Sequence, residues 1–218
     1  MILAIDTATQ YASLALYKPD GLFAEETWHS GRNHTVELPP RIVRMLKLAE
    51  LHVDDLTALA VALGPGSFTG LRVGLAIAKG LALPYKLPVV GVPTLEITAY
   101  PFRDSQVPVW AIAQAGRGRI LAACYVLIDD QYQLIEGPQL TNFENLAKHC
   151  DGPGLCVGEI DEQTAQVLQR QTGHKVQVVS AAFRLRRAGY LAEIAASRLE
   201  ASYQDDPDAL VPIYISSP

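Results

Sequence analysis

Three short apolar runs open the chain, ILAID (2 to 6), YASLALY (11 to 17) and LFAEETW (22 to 28), separated by the turn-like stretches TATQ and KPDG. Runs of this length between turn residues predict a three-stranded antiparallel meander. The period then lengthens. Between Thr35 and Leu51, Ile42, Val43, Met45, Leu46 and Ala49 recur at helical spacing and predict one buried stripe, with Pro39 and Pro40 in the tolerant first turn. A continuous apolar run, ALAVAL (58 to 63), predicts a buried strand. A helix over 69 to 83 and a second strand, PVVGV (88 to 92), complete an order of βββαβαβ.

The second half repeats that order. VWAIAQA (about 107 to 115), RILAACYVLI (119 to 128) and YQLIEG (132 to 137) predict a second meander. A helix near 142 to 149, the strand LCVG (155 to 158), a helix at 161 to 172 and the strand VQVV (176 to 179) follow it. Laying AIDTATQYASLALY over AIAQAGRGRILAACY brings the meanders into register and sets Asp6 opposite Gln114. Consecutive strands usually pair, and parallel crossovers are right-handed, so each half should form a five-stranded mixed sheet with helices on its faces. The expected division is 1 to 104 and 105 to 218, hinged within AYPFRDSQVP (99 to 108). A final helix, about Ala188 to Tyr203, closes the chain and is a candidate to complete the first lobe.

Composition narrows the function classes. Hydrophobic residues make up 49% and charged residues 19%, which suits a folded domain rather than a disordered chain. With 18 Lys and Arg against 23 Asp and Glu, the net charge is −5, so the chain lacks the basic field of an autonomous nucleic-acid binder. Cys124, Cys150 and Cys156 have no C-x-x-C spacing and read as free thiols. The start, MILAIDTATQ, has no basic n-region, and no apolar run reaches membrane-spanning length. A cytoplasmic protein without a membrane role is expected.

The stretch GPGSFTGLRVGLAIAKGLA (64 to 82) invites comparison with phosphate loops. It fails their spacing: Gly70 is followed by Leu71 and Arg72 rather than Lys and Ser or Thr, and Gly64 to Gly70 is not G-x-G-x-x-G. Nor is it G-x-S-x-G, since Pro65 occupies the first glycine's place; Ser67 or Thr69 reads as a helix N-cap. Along the following helix the apolar and small residues span an arc of roughly 200°, about twice what one core face needs. Gly70, Gly74 and Ala78 form a low ridge within that arc, flanked by Val73 and Ile77. Such a ridge can pack under a neighbouring helix of the same chain or serve a second molecule, and the excess width favours the second. On the preceding helix, Arg41, Arg44, Lys47, Leu48 and Leu51 lie away from the expected core stripe. Together the two helices are expected to offer an apolar docking strip with a cationic rim.

ILAIDTATQYASLALY, RNHTVELPPRI, GPGSFTGLRVGLAIAKGLA and VVGVPTLE closely resemble the TsaB (YeaZ-type) family of bacterial tRNA threonylcarbamoyladenosine synthesis. The match covers about residues 1 to 98, with GPGSFTGLR its specific signature; beyond that it rests on element order. Family members often read D-A-R where this chain has Gln114, Ala115, Gly116 and Arg117, and often finish near P-x-Y-L-R where it has PIYISSP. The resemblance implies the two-lobed α/β fold of actin, hexokinase and Hsp70, known as the ASKHA fold. It also implies a noncatalytic subunit that pairs with the paralogue TsaD, helps recruit the ATPase TsaE, forms a homodimer when TsaD is absent, and meets tRNA only through the complex.

Within that superfold, an ATPase uses carboxylates and glycines at the first hairpin of each lobe to hold metal and phosphate. Here Ala8 stands where a glycine would permit close approach, and Gln114 opposite Asp6 offers no charge to Mg²⁺. Asp6, Thr7 and Thr9 are expected to be vestigial phosphate contacts or braces of their own turn. The H-x-x-x-H pair of TsaD-like paralogues is reduced to His34, with Leu38 in the second place, so no metal site is expected. The chain should need no cofactor of its own, with at most weak nucleotide binding at a composite interface. A small-molecule kinase or a metallopeptidase of the same superfold are the alternatives.

Overall fold

The computed structural model describes residues 1–129 and 131–215. Among them the meander forms as expected: β1 (Ile2–Asp6), β2 (Tyr11–Lys18) and β3 (Gly21–His29). Helix α1 (His34–Leu48), β4 (Ala58–Gly64), α2 (Phe68–Tyr85), β5 (Val89–Pro93) and a short α3 (Thr94–Ala99) follow. The first sheet runs β3-β2-β1-β4-β5. All five residues of β1 are buried because the strand is paired on both sides, antiparallel to β2 and parallel to β4.

Strand alternation gives the two faces of this sheet different side chains. Leu3, Ile5, Leu14, Leu16, Leu59 and Val61 form a core with Leu38, Ile42 and Met45 of α1 and Leu75 and Ala78 of α2. Each fully buried Leu or Ile contributes about 1.5–3 kcal/mol of hydrophobic free energy. On the opposite face stand Ala4, Ala15, Ala58 and Ala60, whose small side chains let a helix lie close. Helix α6 (Ala188–Glu200) takes that place, and its first amide, Ala188 N, donates to Ser13 Oγ at 2.9 Å.

The second sheet contains β6 (Val109–Gln114), β7 (Ile120–Ile128), β8 (Gln131–Thr141), β9 (Gly154–Gly158) and β10 (Val176–Val178), in the order β10-β9-β6-β7-β8. This is the strand order of the first sheet over again. Helices α4 (Phe143–His149) and α5 (Glu162–Gln171) supply Leu146, Ala165 and Leu168 to a core with Trp110, Ile112, Cys124 and Cys156. The cysteines are free, and burial pushes the Cys124 thiol up to about 12.

Two details depart from the sequence reading. The first compact unit is Met1–Ile97 with Arg187–Tyr214, and the second is built on Thr98–Arg186, whereas the sequence put the division at 104 and 105. The cause is α6 and the segment after it, which belong to the first sheet: Asp205 Oδ2 accepts from Gly91 N at 2.7 Å, and Leu210 joins the first core. Val43 is no part of the buried stripe of α1. It projects outward, and Leu38 takes its place in the core. Of the tail PIYISSP, Ser216, Ser217 and Pro218 lie outside the described residues.

Candidate functional site

The turn between β1 and β2 is built into the start of α2. Asp6 Oδ1 accepts from Ala8 N at 2.9 Å, bracing the turn, and the Thr7 hydroxyl donates to Gly70 O at 2.7 Å. The Ala8 carbonyl accepts from Ser67 N at 2.6 Å, and Ser67 Oγ caps the helix by accepting from Gly70 N at 3.3 Å. A Cβ on Gly66 would overlap the Ala8 carbonyl oxygen, one on Gly70 the Thr7 carbonyl oxygen, and one on Gly74 the Thr7 hydroxyl. These glycines admit the turn's own backbone. Asp6, Thr7 and Thr9 are all buried, and the polar groups of Asp6 and Thr7 serve this junction rather than an open phosphate site.

The glycine ridge is therefore corrected from docking surface to internal packing: Gly70, Gly74 and Ala78 are buried against Thr7, Ile5 and the first core. Val73 and Ile77 are half-buried on that core, as is Leu51. Neither is the cationic rim free. Arg41 and Arg44 both pair with Glu26 on β3, and Arg41 stacks over the Trp28 ring at 4.3 Å. Trp28 Nε1 in turn donates to Glu37 Oε2 at 2.7 Å, clamping α1 to the edge strand. Lys47 and Leu48 remain exposed as expected.

The outward faces of α1 and α2 nonetheless carry an apolar surface, made of other residues. Val36, Val43 and Leu48 on α1 are 77%, 65% and 80% exposed, and Leu83 on α2 is 77% exposed. Pro39 and Pro40 lie beside Val36 and Val43, and Ala76 and Gly80 lie outward on α2. Val36 and Val43 are seven residues apart and so share one face, opposite the buried Leu38, Ile42 and Met45. Anchoring the wheel on Leu38 would have found them.

At the start of α2 the tail adds a second exposed feature. Ile213 N donates to Leu63 O at 2.7 Å, which brings Tyr214 to 5.1 Å from the Phe68 ring. Arg72 lies over Phe68 at 3.7 Å and donates from Nε to Tyr214 Oη at 3.0 Å. Phe68, Arg72 and Tyr214 thus form one stack closing the loop, and their separation in sequence hides it from motif reading.

His34 opens α1 as a buried residue, 4% exposed, with its ring packed near Gly70. Burial lowers its pKa, against the opposing pull of the Thr9 backbone and the Asp6 and Glu37 carboxylates. Four residues on, where a second imidazole would share its face, Leu38 lies in the core. Among the described residues no group of three or more His, Cys, Asp or Glu side chains is arranged to hold a metal. In the second sheet Gln114 ends β6 as Asp6 ends β1; its backbone N donates to Glu159 Oε2 at 2.8 Å and its side-chain amide to the Glu159 carbonyl at 3.1 Å.

Two mixed sheets with one shared strand order, each with helices on its faces, define the actin/Hsp70-like class, in its two-lobed ASKHA form. A family model described as TsaD, tRNA N6-adenosine threonylcarbamoyltransferase, matches residues 28–217. The Bacillus subtilis tRNA threonylcarbamoyladenosine biosynthesis protein TsaB is 30% identical over 217 residues, covering 98% of this chain and 93% of that protein. The Escherichia coli protein of the same name is 46% identical over 94 residues, 43% of this chain and 40% of that one. The solved structure of YeaZ from Pseudomonas aeruginosa matches the fold with a TM-score of 0.79 at 24% identity, over 98% of this chain and 99% of that one. The chain belongs to the TsaB (YeaZ-type) family.

Proposed function

We propose that this chain is a noncatalytic subunit in the formation of N6-threonylcarbamoyladenosine beside the anticodon of tRNAs, pairing with a TsaD homologue and helping to recruit a TsaE homologue. The observation that carries the pairing is that α1 and α2 leave Val36, Val43, Leu48 and Leu83 exposed to solvent. Exposed aliphatic side chains that adjoin one another mark interaction surfaces in soluble chains. The same face would serve self-pairing when the TsaD homologue is absent. The noncatalytic reading draws on the first hairpins: Asp6 is spent on its own turn, and Gln114 supplies an amide, bound to Glu159, where metal chemistry would need a charge. Any nucleotide would bind weakly and at a composite interface with the partner, and tRNA would be met only through the complex.

The test is co-purification with a TsaD homologue. Leu48→Glu with Leu83→Glu should leave the chain folded, since both side chains are exposed, and should weaken pairing by at least tenfold, a loss of about 1.4 kcal/mol or more. Because Arg41 and Arg44 are already paired with Glu26, wild-type pairing should change little between 0.1 and 0.5 M salt, roughly the range over which exposed charges become screened. Pairing that is unaffected by the double substitution and lost in high salt would contradict the apolar face.

A further inference from the structure

Arg72 is an exposed cation held in one place. Its guanidinium lies 3.7 Å over the Phe68 ring, and its Nε is committed to Tyr214 Oη at 3.0 Å. The tail that carries Tyr214 is itself docked: Ile213 N donates to Leu63 O, and the Ile213 carbonyl oxygen lies where a Cβ on Gly64 would stand. The stack and the Nε bond fix the plane of the guanidinium fork. Among the described residues its two Nη groups have no hydrogen-bond or ion-pair partner. From Leu56 to Leu95 and from Ala209 to Ile215 the chain has no Asp or Glu to supply one. Arg72, Ala76, Lys79 and Leu83 follow at intervals of four, three and four, so they share one stripe of α2, and the fork stands on the side of Leu83. On α1, Val36, Pro40, Val43 and Lys47 share a stripe by the same spacing. Glu37 is the one carboxylate of these two helices, and it accepts from Trp28 Nε1.

We infer that Arg72 receives a carboxylate from a different chain, with Phe68 and Tyr214 holding its fork ready for a two-oxygen contact. The inference rests on the proposed function, in which that chain is the TsaD homologue. An arginine ordered against two exposed aromatic rings has the composition of an interface anchor, and its fork matches the two oxygens of a carboxylate. A second copy of this chain does not satisfy it. Meeting the same face through an isologous contact, the copy brings Lys47, Arg72 and Lys79 but no unspent helix carboxylate, so Arg72 stays unpaired on both sides. The fork thereby favours a carboxylate-bearing partner over self-pairing. Once the partner excludes water the pair is little screened, in keeping with pairing that survives salt.

The experiment titrates the TsaD homologue calorimetrically into the wild type, Arg72→Glu and Arg72→Lys, and measures the self-association of each chain alone by sedimentation equilibrium. Arg72→Glu should weaken pairing with the homologue about thirtyfold or more, the effect of breaking a buried charge pair, while self-association stays the same or tightens. Arg72→Lys keeps the charge and loses the fork, so it should lose affinity severalfold; it also decides the matter if Arg72→Glu does not fold. Equal weakening of both associations would make Arg72 a general contact of the face and overturn the inference, as would unchanged binding of the homologue. Intact pairing with weaker tRNA binding by the assembled complex would assign the fork to phosphate and overturn it too. Pairing lost in Leu48→Glu with Leu83→Glu but kept in both Arg72 variants overturns this inference and leaves the subunit role standing. A wild-type chain that does not bind the homologue overturns both.

Discussion

His34 is an ionisable side chain held where water barely reaches, and its burial favours the neutral ring. Its pKa in the folded chain lies below the ordinary 6.5, so below that pH the unfolded chain binds more protons than the folded one. The stability His34 confers is complete above pH 6.5 and is lost as pH falls through that value toward its folded pKa. The decline can reach about 1.4 kcal/mol per pH unit, the limit for one proton. Urea unfolding at pH 7 and 5.5 should show this loss in the wild type and a much smaller one in His34→Gln. Equal losses would show that the imidazole titrates as if in water. Glu37, also held low by its hydrogen bonds, acts below 4.5 and leaves this window clear. Some residue roles were legible: Ser67 caps α2 and Asp6 braces its turn, because both act within a few residues of themselves. The clamp of Arg41 and Arg44 on Glu26 and the stack of Tyr214 on Phe68 join distant segments, so no local pattern carries them.

Helix α2 is the element whose purpose the structure reassigns. Gly66, Gly70 and Gly74 lead into it at intervals of four, a spacing that equally suits a neighbouring backbone of the same chain or of another. What decides is the Thr7–Ala8 turn, against which Gly66, Gly70 and Gly74 lie with no room for a Cβ. Gly74→Leu should therefore destabilise the isolated chain by roughly 3 kcal/mol, the upper range of overpacking, through collision with Thr7 and Ile5. A stable folded monomer that merely failed to pair would return the ridge to the surface. The apolar arc of α2 was legible in the sequence, but its division between core and exterior was not. That division depends on where β1 and α1 lie, and one misassigned residue, Val43, was enough to rotate α1 away from its true outer face.

For the whole molecule, the duplicated strand order was legible because each sheet is written as a meander followed by two parallel crossovers, with strand ends placed within a few residues. The discontinuous first unit was less so. The small-residue face of Ala4, Ala15, Ala58 and Ala60 accepts α6 from the far end of the chain, and only the assembled sheet reveals that face. The proposed noncatalytic role draws on one unit whose hairpin carboxylate braces its own turn and another with an amide in that place. The most direct test is a reconstitution measuring threonylcarbamoyladenosine in tRNA, with the TsaD and TsaE homologues, ATP and the threonylcarbamoyl donor, each with and without this chain. The account predicts no modification and no ATP turnover by the chain alone, and modification restored when it joins the other components. Robust ATP hydrolysis or tRNA modification by the chain alone would contradict it.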